Sequence, residues 1–142
     1  MDFRRDMPLH SMEKYSPTIK IPDGVISLYA QIAGPNVKRT IKLALDTGAS
    51  LTMIPPEKII ITGHQIPTSQ EKMIKIFTAS GIEYVPIVSI SALTCLGITV
   101  RNIDVVCHNL PPESPVEGLL GLNFLTHLPA FIESYQKIHL HI

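Results

Sequence analysis

"LALDTGASLTMIP" spans residues 43–55, with an acid set between two apolar runs and a bend directly after it. Upstream, Arg39-Thr40-Ile41-Lys42-Leu43-Ala44-Leu45 alternates with period two, which puts Ile41, Leu43 and Leu45 on one face of a strand. Asp46 stands where that strand ends, Thr47 and Gly48 form the bend, and Ala49-Ser50 lead away. Glycine lets the backbone turn without a side chain in the way and lets a ligand approach closely. Asp-Thr-Gly is also an ordinary strand-ending turn, because Asp caps turns through its own carboxylate. Alone, the tripeptide decides little.

The rest of the chain continues in short strands and turns. Val25 to Ile32 is extended and closed by Gly34-Pro35-Asn36. Met73 to Thr78 and Ile82 to Ile90 form a hairpin about the turn Ala79-Ser80-Gly81. Further strands are expected at 91–95, 98–100 and 103–107, with Leu96-Gly97 turning between the first two. Twelve prolines disfavour long helices, and one short helix is expected over Leu122 to His127, closed by Pro129. The tail from Phe131 reads as a hairpin whose last strand sets Ile138, Leu140 and Ile142 on one face. Residues 1–18 are polar and without periodicity, which predicts a mobile arm before one domain over 19–142.

Composition narrows the function classes. A chain of 142 residues can bury a real core, and 45% of it is hydrophobic. Twelve basic residues balance twelve acidic ones, so neither nucleic acid nor an anionic membrane is an expected partner. No apolar run reaches the roughly 18 residues of a membrane span. The first residues lack the apolar centre of a secretory signal, so the expected location is cytoplasmic. Cys95 and Cys107 are accordingly read as reduced and buried. No metal or cofactor is expected. His139 and His141 alternate along one strand and read as a solvent-facing pair, and the remaining histidines lack ligand spacing. The sequence has neither a phosphate-binding glycine loop nor a Gly-x-Ser-x-Gly elbow.

A second motif gives the first its meaning. Residues 118–125 read Gly-Leu-Leu-Gly-Leu-Asn-Phe-Leu, two apolar residues and a glycine opening a short helix. With Asp46-Thr47-Gly48-Ala49-Ser50 upstream and Leu119-Leu120-Gly121 downstream, the chain resembles the retropepsin-like aspartic peptidases over roughly residues 20–142. It looks closer to their cellular and bacterial members than to the retroviral ones. The resemblance implies a mostly β fold: a closed acid-protease barrel with one short C-terminal helix, a flap hairpin and a terminal dimerisation hairpin. The strand Leu119-Leu120-Gly121 would thread beside the loop of the acid, and Ala79-Ser80-Gly81 would tip the substrate-binding flap.

Such enzymes need two carboxyl groups, and this chain has one Asp-Thr-Gly. Asp23-Gly24 lacks the threonine, and none of Asp2, Asp6 and Asp104 is followed by Thr-Gly or Ser-Gly. The resemblance therefore implies a homodimer about a twofold axis, each chain giving one catalytic Asp46, with polypeptide as substrate. Thr47 would brace the two loops across the axis, and Gly48 would offer its N–H to the acids. Two departures stand out. Ala49 occupies a place where many pepsin-like enzymes carry a hydroxyl, and Leu122 replaces the arginine common after the retroviral apolar-apolar-Gly. The other class of reading is a peptide-binding or dimerisation module without catalysis, but such a module has no need of Asp46.

Overall fold

The structure, a computed structural model, describes residues 20, 21, 24–78 and 80–129. The expected arm at 1–18, the tip residue Ala79 and the tail hairpin over 132–142 lie outside the described residues. A small ladder joins β1 (Lys20–Ile21) to β2 (Gly24–Val25). One sheet holds β3 (Ser27–Ala33), β4 (Lys38–Leu45), β5 (Thr52–Ile54), β6 (Met73–Thr78), β7 (Gly81–Cys95), β8 (Ile98–Cys107) and β9 (Gly118–Leu120). Its order is β3-β4-β9-β5-β8-β7-β6, and β3 also pairs with β7. Six strands thus close into a barrel, while β6 stands outside as one arm of a hairpin with the first part of β7.

The alternation expected for β4 is present, with Ile41 and Leu43 fully buried and Lys38 to Thr40 exposed. The interior of the barrel is filled by Ile32, Ile41, Leu43, Ile54, Ile90, Leu93, Val105, Leu120 and Phe124. Burying each such side chain contributes about 1.5–3 kcal/mol. A second apolar cluster uses the intervening positions of the same strands: Ala44, Met53, Val106 and Leu119, with Ile76 and Val85 from the hairpin. The walls made by β4, β5, β8 and β9 are therefore covered on both faces near the hairpin, and every residue of β5 and β9 is buried.

The ladder between β7 and β8 has one break. Ile90 faces Ile103 and Ala92 faces Arg101, but Ser91 and Asn102 drop out of the register. Asn102 takes φ 53° there, a conformation Asn tolerates, and the Ser91 amide donates to His64 Nε2 at 2.9 Å. The strands expected separately at 82–90, 91–95, 98–100 and 103–107 are two continuous strands, β7 and β8, because the ladder resumes in the same register on both sides of this interruption. The break frees β7 to bend, and Ala92 to Thr94 then close the barrel against β3.

Among the described residues, α1 (Pro56–Ile61) and α2 (Leu122–Leu125) flank the barrel. The first was not anticipated from the sequence. Pro56 occupies the first turn, where its missing N–H would have no partner anyway. Ile59 anchors α1 to the core. The second helix is shorter than the expected 122–127 and buries Phe124 and Leu125. Both cysteines are free and buried, and burial raises both thiols, Cys107 to about 11.

Candidate active site

Strand β4 runs parallel to β9, with Leu43 opposite Gly118 and Leu45 opposite Leu120. The next amide, that of Asp46, donates to the Leu120 carbonyl at 3.0 Å. The acid is thus delivered at the end of the strand that lies beside Leu119-Leu120-Gly121, and the two sequence motifs meet. Asp46 is 5% exposed. Its Oδ1 accepts the Gly48 amide at 2.9 Å, and its own carbonyl accepts the Ala49 amide at 3.2 Å. The turn after the acid is therefore closed on itself by Thr47 and Gly48.

The far side of the turn is held by the second motif. The Leu122 amide donates to the Ala49 carbonyl at 2.8 Å and the Asn123 amide to the Ser50 carbonyl at 3.1 Å. Ala49 is fully buried. Gly121 is required by crowding and not by backbone conformation, since its φ is −96°. A Cβ there would lie 2.7 Å from the Leu51 carbonyl carbon and oxygen and 2.8 Å from the Ala49 carbonyl oxygen. Leu119 and Leu120 point to opposite faces: Leu120 into the barrel, Leu119 into the cluster under the hairpin. Ahead of them, the Glu117 side chain accepts the Lys42 amide at 3.0 Å and prolongs the β4–β9 pairing.

Two residues of this assembly were not picked out from the sequence. Thr52 donates to Asn123 Oδ1 through both its amide and its hydroxyl, each at 2.9 Å. The Gly121 amide donates to Thr52 Oγ1 at 3.0 Å, and Asn123 Nδ2 donates to the Asp104 carbonyl at 2.6 Å. Their only sequence trace is polarity out of place: Thr52 is fully buried beside Met53 and Ile54, and Asn123 is the polar residue of α2.

Thr47 Oγ1, next to the acid, is buried and has no hydrogen-bond partner among the described residues. Over this loop lies the β6–β7 hairpin. Of its expected tip, Ser80 and Gly81 are described; both are exposed, and Gly81 takes φ +123°, which favours glycine. The hairpin residues Ile76 and Val85 pack into the cluster that contains Ala49, Val116 and Leu119. Glu83 Oε1 lies 3.9 Å from His108 Nε2, and burial holds the His108 imidazole below its ordinary pKa, opposed by the Glu83 charge. Among the described residues no group of His, Cys, Asp and Glu is arranged to hold a metal ion.

Residues 31–127 match the family described as "gag-polyprotein putative aspartyl protease". Among solved structures, the crystal structure of a retropepsin-like aspartic protease from Rickettsia conorii aligns with a TM-score of 0.49 and 21% identity, covering 79% of this chain and 77% of that one. The solution structure of simian foamy virus (mac) protease aligns with a TM-score of 0.47 and 20% identity, covering 79% of this chain and 97% of that one. Comparison with curated protein sequences gives no match. The family match takes in both the Asp-Thr-Gly turn and the Leu-Leu-Gly strand that packs beside it, and the chain belongs to the gag-polyprotein aspartyl protease family, of the retropepsin-like kind.

Proposed function

We propose that the protein is an aspartic endopeptidase that acts as a homodimer on extended polypeptide, with one Asp46 from each chain. The observation that carries this reading is Thr47. A buried hydroxyl with no partner costs about 1–3 kcal/mol, and Thr47 Oγ1 has none among the described residues. A second copy of the same loop, related by a twofold axis, brings a partner to each Thr47 and a second carboxyl to each Asp46. One acid motif per chain then suffices.

In that dimer the two Asp46 carboxyls share one proton, because like charges so close cannot both ionise. The charged carboxylate takes a proton from a bound water, whose oxygen attacks the peptide carbonyl carbon. The protonated carboxyl hydrogen-bonds the carbonyl oxygen, and a proton then passes to the leaving amine as the C–N bond breaks. Within each chain the Gly48 amide holds Oδ1 of Asp46 in place. The β6–β7 hairpin closes over the peptide and excludes water from the reaction.

The test is cleavage of a denatured mixed-protein substrate by wild type and by Asp46→Asn, with sedimentation of both. Asn preserves the shape and removes the shared proton, so the variant is expected to sediment as the same dimer and to lose peptidase activity. Activity within tenfold of wild type would overturn the catalytic role of Asp46. A protein that binds peptide in both forms and cuts in neither is a binding module.

A further inference from the structure

The acid loop is clamped at both ends by the segment from Leu120 to Asn123. At its entrance the Asp46 amide donates to the Leu120 carbonyl, and at its exit the Leu122 and Asn123 amides donate to the Ala49 and Ser50 carbonyls. These are main-chain bonds, so the loop stands wherever the start of α2 stands. Phe124 and Leu125 hold α2 to the core, but apolar burial has no direction and does not fix a position finely. The polar side chain of Asn123 supplies the direction. Its Oδ1 accepts both the amide and the hydroxyl of Thr52 on β5, each at 2.9 Å, and its Nδ2 donates to the Asp104 carbonyl on β8 at 2.6 Å.

An amide is the group that meets these demands. Two donors from Thr52 take the lone pairs of Oδ1, and Nδ2 supplies the hydrogen that the Asp104 carbonyl accepts. A carboxylate of the same shape accepts from Thr52 equally well but cannot donate, and it sets an oxygen against the Asp104 carbonyl. Protonated, the same carboxyl offers one C=O and one O–H and reproduces both halves of the amide. The charged residues on the loop and strands that Asn123 touches are Asp46, Arg101 and Asp104.

We propose, resting on the endopeptidase reading above, that Asn123 is a positioning residue whose side-chain amide sets where each Asp46 carboxyl stands and so the rate of the chemical step. It acts through Ser50 and Ala49 on the exit of the loop and touches neither substrate nor the reacting atoms. Two carboxyls that share one proton and one water have little tolerance for displacement, and a misplacement of about 1 Å costs about 100-fold in rate. A loss of this origin falls on kcat for each assembled dimer, with KM little changed. A merely structural Asn123 would lower the amount of folded dimer and leave kcat for each dimer as it was.

The experiment measures kcat and KM for wild type, Asn123→Asp and Asn123→Ala between about pH 7 and about pH 4.5, the range over which an introduced carboxyl takes up its proton. The probe is a quenched-fluorescence peptide built on a bond that wild type cuts in the denatured mixed-protein substrate, and sedimentation counts the dimer at each pH. Near pH 7 both variants are expected to lose about 100-fold in kcat for each dimer, with KM little changed. Relative to wild type, Asn123→Asp regains kcat as the pH falls, and Asn123→Ala does not. A loss confined to the amount of dimer or to KM, or an Asn123→Asp variant that regains nothing in acid, would overturn the proposal. If Asn123→Ala forms no dimer, Asn123→Asp decides alone. Wild type that cuts no bond removes the endopeptidase reading and this proposal with it, whereas wild type that cuts no faster than both variants removes only the role of Asn123.

Discussion

The hydroxyl of Thr52 donates to Asn123 Oδ1 at 2.9 Å and accepts the Gly121 amide at 3.0 Å, fastening the exit of the acid-bearing loop to the start of α2. The bond from Gly121 is buried, where a lost partner is felt in full, and the bond to Asn123 is half-buried. Thr52→Val keeps the shape but leaves the Gly121 amide unpaired, and the expected loss is about 1–3 kcal/mol of stability in urea unfolding. Thr52→Ser keeps both bonds and gives up one methyl, for about 0.8 kcal/mol. Under the function proposed above, kcat should fall with Val far more than with Ser, since Ala49 and Ser50 hang from the same segment. Equal stability of the two variants would show that the hydroxyl contributes nothing.

Thr47 makes a prediction with a change of sign. Within one chain its buried hydroxyl is unsatisfied, so Thr47→Val in a monomer is expected to be neutral or to stabilise by about 1 kcal/mol. In the proposed dimer the same hydroxyl is paired, and the variant is expected to raise the dimer dissociation constant by about tenfold, equivalent to about 1.4 kcal/mol. Sedimentation equilibrium over a dilution series reads both. A dissociation constant that does not move removes Thr47 from the interface.

Leu96 occupies a position that suits another residue. It takes φ 54°, followed by Gly97 at φ 77°, in the two-residue turn between Cys95 and Ile98. Left-handed backbone costs an ordinary L-residue about 1–2 kcal/mol, and turns of this type favour Asn-Gly. The Leu96 side chain is 52% exposed, so little packing is lost by replacing it. Leu96→Asn is expected to stabilise by about 0.5–1 kcal/mol, seen as a raised Tm. A lower Tm would mean that Leu96 packs against something that offsets its strain.

His108 links stability to pH, with a definite sign. Its folded-state pKa lies below the ordinary value near 6.5 because burial penalises the imidazolium, with Glu83 opposing. Above 6.5 both folded and unfolded chains hold it neutral, and it adds no pH dependence. As the pH falls through 6.5 the unfolded chain binds the proton first, so stability declines toward acid until the lower, folded pKa is passed. Urea midpoints at pH 7.5 and 5.5 are expected to differ more for wild type than for His108→Gln. Identical differences would place the acid sensitivity elsewhere.

The sequence by itself determined the strand-rich class, the period-two strand that ends at Asp46, the hairpin over residues 73–90 and the two glycine motifs. Each of these is local: alternation, turn residues and a glycine within a few positions of one another. Helix α1 was missed although it too is local, because Pro55-Pro56 signals a break and a helix start with the same residue type. Only the tertiary structure decided that β9 lies between β4 and β5, that β3 meets β7 to close the barrel, and that Asn123 grips Thr52 across 71 positions of chain. Such pairings leave no periodic trace, because a hydrogen bond between distant residues constrains two single positions and neither neighbourhood. The barrel brings them together by burying both faces of its short central strands, and a buried polar atom must then find its partner wherever the fold has placed one.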